Sequence, residues 1–397
     1  MATKPIKILT FSSLYPNAAQ PIKGVFVENR LRHLLASGEV EAKVVAPVPW
    51  FPFAGQLFGS YGVFASVPRY EVRHGIEIWH PRYPVIPKFG MSLAPLLMYW
   101  AVRPTLRRLK AQGFEFDLID AHYFYPDGVA ACLLAQSLGK PFVVTARGSD
   151  ISLIPGYSIP KKWILWAAGK SRALISVCQA LKDEMVSLGI AADKVTPLRN
   201  GVDLDFFKPV DRDDVRKELG FEGEVLLSVG NLVEVKGHHL VIEALTRLPH
   251  CRLYIAGGGE LAAGLTKLVR EHGLNERVTL LGPLDRETLR RYMAAADALV
   301  LASSREGMAN VLLESIACGT PVVATPMWGT PEVVAVAEAG VLTRDRSVAG
   351  IVEGVNRLFA AYPDRAATRR YAEQFSWDET SAGQLRIFRE IITTHML

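Results

Sequence analysis

The sequence predicts an α/β protein built from two doubly wound domains, and three observations predict it. Short β-branched runs alternate with amphipathic stretches along the chain, as in βαβ units whose parallel sheets are covered by helices. The alternation comes in two series separated by a turn-rich junction. The 397 residues, 49% hydrophobic and 21% charged, suffice for two domain-sized cores.

The first series comprises expected strands at 6–13, 42–48, 116–122, 141–148 and 173–178, with a helix at 25–37 that sets Val27, Leu31 and Leu34 on one face. A proline- and aromatic-rich excursion over about 49–90 interrupts it. The second series places strands at 224–232, 251–256, 277–284, 298–303, 321–325 and 340–343. Between them, Arg199-Asn200-Gly201-Val202-Asp203 and Phe207-Lys208-Pro209 carry turn chemistry and a proline, which marks a hinge near 200–210. The expected domains are therefore 1–200 and 201–376. The amphipathic stretch 377–396 has no strand after it and is expected to cross back and complete the first domain.

The four cysteines, Cys132, Cys178, Cys251 and Cys318, show no C-x-x-C pairing and read as free thiols of a reducing compartment. The apolar run after Lys4 and Lys7 is too short for a signal peptide, and no cleavage pattern follows. Residues 44–68 are broken by prolines and glycines, and 89–102 falls short of the ~18 residues of a spanning helix. A cytoplasmic protein is expected. Residues 1–200 carry 23 Lys/Arg against 13 Asp/Glu, and the remainder carries 22 against 27. A basic first half without a nucleic-acid signature points to an anionic substrate or an inner membrane surface.

The most informative segment runs from Ser303 to Pro321 as strand, loop, helix and strand, with Glu306 in the loop beside Gly307 and Glu314 further on. The amides of Met308, Ala309, Asn310 and Val311 are expected to form an exposed helix N-terminus that favours phosphate or sugar oxygens. Eight residues correspond to ~80° of helical rotation, so the two carboxylates can hold the two ends of one polar ligand. A carboxylate also accepts from two neighbouring hydroxyls. Alone, the pair reads as an ordinary N-cap and a surface helix residue paired with Arg305 or another base. Its company is Gly230-Asn231-Leu232-Val233-Glu234-Val235-Lys236-Gly237, which follows a strand and opens a helix. Lys236 thereby reaches the sheet edge where ligands bind in open α/β folds, and its ammonium can neutralise a diphosphate.

With Asn200-Gly201-Val202-Asp203, Ala256-Gly257-Gly258-Gly259-Glu260 and Gly329-Thr330-Pro331-Glu332, these motifs resemble the family 4 retaining glycosyltransferases over most of the chain. The resemblance implies the GT-B fold, two Rossmann-like domains facing a central cleft, with an acceptor-binding first domain and a nucleotide-sugar-binding second. It implies that Lys236 contacts the donor diphosphate, Glu314 the ribose hydroxyls, and Glu306 with the amides of Met308 to Val311 the transferred sugar. Gly282-Pro283-Leu284 would lie beside the base, and Gly24 would belong to a loop approaching the phosphates. From the residues alone, Gly24 reads equally as a simple turn.

Two positions depart from the family. Asn231 stands where an arginine is usual, and Arg147, within Thr145-Ala146-Arg147-Gly148-Ser149-Asp150, stands where a histidine faces the donor sugar. Arg147 either supplies the missing cation or is a strand-end arginine paired with Asp150. His122 either binds an acceptor hydroxyl or is structural. The resemblance implies front-face displacement with no protein nucleophile, and no Asp-x-Asp motif stands where a metal would be needed, so no cofactor or essential metal is expected. The segment 88–110, apolar and then basic, reads as a core helix or as one resting on an anionic interface near a lipid-linked acceptor; Trp50-Phe51-Pro52-Phe53 and Trp163 with Trp166 are further candidates for the membrane or the acceptor. The expected partners are a UDP- or GDP-type sugar donor, a sugar or lipid-linked acceptor of surface polysaccharide synthesis, and an anionic membrane surface, with no nucleic acid. A dinucleotide-dependent oxidoreductase does not fit, because the glycine run follows the wrong strand. A sugar-nucleotide epimerase on the same scaffold and a non-catalytic nucleotide-sugar-binding protein are the rivals.

Overall fold

The computed structural model describes residues 4–53, 55, 59–85 and 90–396. Lys88 and Phe89, which open the apolar-to-basic segment, lie outside the described residues. The chain folds as two compact units, residues 1–200 with 378–397, and residues 201–377.

The first unit holds β1 (Ile6–Phe11), β2 (Val40–Val45), β3 (Val48–Pro49), β4 (Tyr70–Arg73), β5 (Ile76–Trp79), β6 (Arg82–Tyr83), β7 (Leu118–His122), β8 (Phe142–Ala146), β9 (Ala173–Ser176) and β10 (Val195–Pro197). Eight of them form a sheet in the order β10-β9-β8-β7-β1-β2-β5-β4, and β3 pairs with β6 alone. The sheet is parallel except for β4 against β5. That hairpin belongs to the excursion expected to interrupt the alternation. Its sequence alternates at period two, and His74 (φ 50°) with Gly75 (φ 78°) supplies the two left-handed residues of a tight turn, so the excursion extends the sheet edge. The helix Val25–Ala36 buries Val27, Leu31 and Leu34 as its spacing predicts. The helix Trp377–Met396 completes the same core through Leu385, Ile387, Phe388 and Ile391.

The second unit is a six-stranded parallel sheet, ordered β13-β12-β11-β14-β15-β16, of β11 (Glu224–Val229), β12 (Cys251–Ala256), β13 (Val278–Gly282), β14 (Ala298–Leu301), β15 (Val322–Ala324) and β16 (Gly340–Leu342). Its core joins Leu226, Leu253 and Val300 of the sheet to Val241 and Leu245 of the helix His238–Leu245 and to Ile351 and Val355 of the helix Val348–Ala360. The strand order reverses at β11, whose neighbours are β12 and β14, and in open α/β sheets ligands bind outside the strand ends at such a reversal. Among the described residues, no helix is long and apolar enough to cross a membrane. All four cysteines are free and buried.

Candidate functional site

At the reversal of the second sheet, the segments following β11 and β14 come together. The amide of Ser304 donates to the Val235 carbonyl at 2.8 Å, which brings Lys236, in the single helical turn Glu234–Lys236, beside Glu306. The Lys236 ammonium lies 2.5 Å from Glu306 Oε1, and the same oxygen accepts from Ser303 Oγ at 2.7 Å. Thr325 Oγ1 in turn donates to the Ser303 carbonyl at 2.6 Å. One carboxylate oxygen is thus held by two donors, while the other accepts no side-chain hydrogen bond among the described residues. Both partners stay partly open, with side-chain exposures of 23% for Lys236 and 11% for Glu306.

The helix expected to open at Met308 begins two residues later, spanning Asn310–Ala317 after Ala309, whose side chain cannot cap it. Met308 and Ala309 are buried in the approach to the helix. The ~80° separation of the two carboxylates therefore does not apply, because Glu306 lies in the loop and only Glu314 on the helix. Glu314 is not an ordinary surface carboxylate either. Burial pushes its pKa up to about 7, against the opposing pull of Arg286. Arg286 stacks on Phe206 at 4.4 Å and lies 3.7 Å from Asp203 Oδ2, which connects the Asn-Gly-Val-Asp motif to the Glu314 environment. Sequence reasoning gave no role to Arg286 or Ser303. The two side chains are brought into place by pairings across the fold.

The glycine run after β12 has a packing reason. A Cβ on Gly257 would lie 1.8 Å from the Gly230 carbonyl oxygen, and Leu232 donates to the Gly258 carbonyl at 2.9 Å, so the segments after β11 and β12 cross in contact. Asn231 is exposed on that crossing.

In the first unit the corresponding residues are committed to the interior. Gly24 (φ 69°) caps the helix Val25–Ala36, and a Cβ there would lie 2.2 Å from the Leu14 carbonyl oxygen, so the glycine is required by this close approach. Arg147 is 9% exposed; one guanidinium nitrogen donates to Asn200 Oδ1 at 3.1 Å and another to His122 Nδ1 at 2.8 Å. That bond leaves His122 Nε2–H to donate to Asp120 Oδ2 at 3.1 Å, and burial lowers the His122 pKa to about 4, so the ring is neutral. Asp120 Oδ2 also accepts from Gln384 Nε2 at 3.0 Å, and Gln384 Oε1 accepts from Arg30 Nε at 2.9 Å.

Two expectations are corrected by this network. The guanidinium of Arg147 does not pair with Asp150, whose carboxylate instead accepts from the amides of Phe124, Arg147 and Gly148. Arg147 is buried, and its guanidinium is engaged by Asn200 and His122. His122, fully buried with both ring nitrogens engaged, has no nitrogen left for an acceptor hydroxyl. Among the described residues, no group of three His, Cys, Asp or Glu side chains is arranged to hold a metal ion.

Residues 211–375 match the family of glycosyl transferases group 1, and residues 30–206 match Glycosyltransferase Family 4. The chain is 37% identical over 302 residues to the D-inositol 3-phosphate glycosyltransferase of Mycobacterium leprae (strain Br4923), covering 70% of each chain. It is 28% identical over 365 residues to TuaC of Bacillus subtilis (strain 168), covering 89% of each, a protein whose name places it among the glycosyltransferases of teichuronic acid biosynthesis. Sucrose-phosphate synthase of Thermosynechococcus elongatus superposes with a TM-score of 0.79 at 17% identity, over 98% of this chain and 100% of that one. Anabaena HepE, solved with UDP and glucose, superposes with a TM-score of 0.74 at 21% identity, over 97% and 100%. With the Lys236 and Glu306 motifs gathered at the reversal of a parallel sheet and these likenesses along its length, the chain belongs to the group 1, family 4 glycosyltransferases of GT-B fold, enzymes that transfer a sugar from a nucleotide sugar.

Proposed function

We propose that the chain is a retaining glycosyltransferase that takes a sugar from a UDP- or GDP-type donor and places it on a lipid-linked or growing surface polysaccharide at the inner face of the membrane. The observation that carries the donor side is the Lys236–Glu306 pair at the sheet reversal, with Glu314 on the helix that follows the same strand. Lys236 neutralises the leaving diphosphate, Glu314 accepts from the ribose hydroxyls, and the second oxygen of Glu306 orients the transferred sugar together with the segment from Met308 to Val311. The acceptor oxygen bonds to the anomeric carbon on the face from which the diphosphate departs. The carbon–phosphate oxygen bond breaks and that phosphate oxygen receives the acceptor proton, so the protein contributes positioning and charge. No metal takes part in this scheme, and transfer is expected to persist in a chelator.

The relatives support the direction. HepE was solved with UDP and glucose, and the named relatives act on an inositol phosphate or belong to teichuronic acid biosynthesis. The first unit shapes the acceptor side through the network behind Arg147, which acts as a positioning residue. The exposed Asn231 favours the rival reading of a non-catalytic nucleotide-sugar-binding protein, because it removes one expected cation. Thermal-shift binding of UDP, GDP and ADP, with Lys236→Ala and Glu314→Ala alongside, tests the site, since a bound ligand raises the melting temperature with occupancy. Stabilisation by one nucleotide that both variants lose supports the donor site. No stabilisation by any of the three would overturn it, and donor consumption without an acceptor would indicate an epimerase.

A further inference from the structure

The exposed apolar surface is distributed unevenly. Among the described residues, sixteen large apolar side chains are exposed, and only Val336 and Tyr362 belong to the second unit. Ten of the other fourteen fall within three stretches of sequence, 42–70, 78–114 and 151–182, that contain no Asp or Glu. A surface that keeps both features together is suited to a partner that is apolar and negatively charged at once.

The three stretches also meet in space. Tyr83, Met91 and Ala94 of the second and Ile154 of the third line one cavity of about 290 Å³, shared with Tyr123 and Tyr125. The first is fastened to the second by the pairing of β3 with β6 and by the Arg82 guanidinium, which donates to the Phe64 carbonyl at 2.5 Å. On the helix Gly90–Ala111, Leu93, Trp100 and Arg107 recur every seven residues and so form one stripe, apolar at its start and basic at its end. The Arg103 guanidinium sits 4.8 Å from the Trp100 ring, presenting charge beside an exposed aromatic plane. On the helix Ser158–Lys170, Ile159 and Lys162 stand one turn apart in the same combination.

We infer that the described residues of these three acid-free stretches form a docking face for an anionic phospholipid bilayer, with Trp50, Leu93, Trp100 and Ile159 entering the interface and Arg103, Arg107, Arg108 and Lys162 meeting the headgroups. A second copy of the chain is a poor occupant. A two-fold contact sets a surface against itself, and this one would oppose basic to basic without a carboxylate to separate them. The face goes beyond the donor chemistry and deepens the reading of a lipid-linked acceptor, on which it rests only for its purpose.

The test is flotation of the purified full-length chain, without nucleotide or acceptor, on vesicles of phosphatidylcholine alone and on vesicles that include phosphatidylglycerol. The chain is expected to float with the anionic vesicles, to be released by high salt, and to stay behind with the neutral ones. Arg107→Glu/Arg108→Glu/Lys162→Glu should weaken anionic binding at least about tenfold. Leu93→Ser/Trp100→Ser should weaken it while leaving the melting temperature unchanged, since both residues are exposed. Val336→Ser, on the second unit, should do nothing. Equal flotation on both vesicles, no flotation on either, or full binding by the charge-reversed variant overturns the inference. So does a dimer by light scattering that Leu93→Ser/Trp100→Ser converts to monomer. Because no donor is present, failure here leaves the nucleotide-shift result standing, and the reverse also holds.

Discussion

The two units place their charged residues in opposite ways. In the second, Lys236 and Glu306 form a partly open ion pair, Glu314 keeps its carboxyl without a hydrogen-bond partner among the described residues, and the only exposed large apolar side chains are Val336 and Tyr362. In the first, Arg30, Asp120, His122, Arg147 and Gln384 are buried and bonded to one another, while the exposed surface is apolar and basic. Open charge can exchange its partner for a ligand at little cost, whereas a buried network is broken only with a large penalty. The comparison separates partly open residues, suited to meeting a substrate, from residues that hold the scaffold.

The largest effect expected from this contrast is on stability. Asp120→Ala removes the buried carboxylate that accepts from His122 and Gln384 and whose charge opposes those of Arg30 and Arg147, and should cost about 3–5 kcal/mol, read from the urea midpoint. A change within about 0.5 kcal/mol would show that the network is not what holds the first unit. Lys236→Ala should do the reverse, lowering transfer by roughly 10²–10³-fold while changing stability by under about 1 kcal/mol. If Arg147→Ala matched that loss of transfer without destabilising the fold, the division between the units would break.

The third effect is on pH dependence. With the Glu314 pKa at about 7 against an ordinary 4.5, the unfolded chain loses this proton first. Its contribution therefore makes the fold less stable as pH rises from 4.5 to about 7, and Glu314→Gln should remove that decline. Nucleotide binding runs the other way, because the ionised carboxylate is the better acceptor for two hydroxyls. Affinity should rise roughly ninefold between about pH 6 and about pH 8, as ionisation goes from about a tenth to nine tenths. Isothermal titration across that range checks it, and Glu314→Gln should bind weakly and flatly. The smallest effect is expected from Asn231→Arg, which returns a cation to an exposed position and should tighten nucleotide diphosphate binding by roughly two- to fivefold.

Much of this was legible in the sequence, and what was not has definite causes. The parallel strands and the helix Val25–Ala36 follow from local periodicity, which burial enforces. The hairpin of β4 and β5 was hidden among prolines and aromatics, although its alternation and the His74-Gly75 turn are local signals. The helix at Asn310 starts later than expected because Met308 and Ala309 are spent on packing the approach. Lys236 and Glu306 were legible as a pair of motifs. The share of Ser303 in holding Glu306 depends on a hydrogen bond that spacing alone does not specify. Arg30 and Gln384 lie 354 residues apart, and no pattern along the chain links them; only the completed fold does. Arg147 was read as a site residue because it stands where the family has a histidine, and His122 because it ends a strand; the burial of both is set by the completed fold.

The helix Trp377–Met396 bears on how the protein is made. Residues 201–377 form an uninterrupted unit, whereas the first unit needs Gln384 and Phe388 inside its core. During synthesis the ribosome delivers the second unit whole before the last helix of the first has been translated. The usual order, in which the N-terminal domain settles first, is therefore reversed here. The nascent N-terminal half waits with Arg30 and Asp120 lacking their glutamine and with an open apolar flank, until the final helix emerges and closes it.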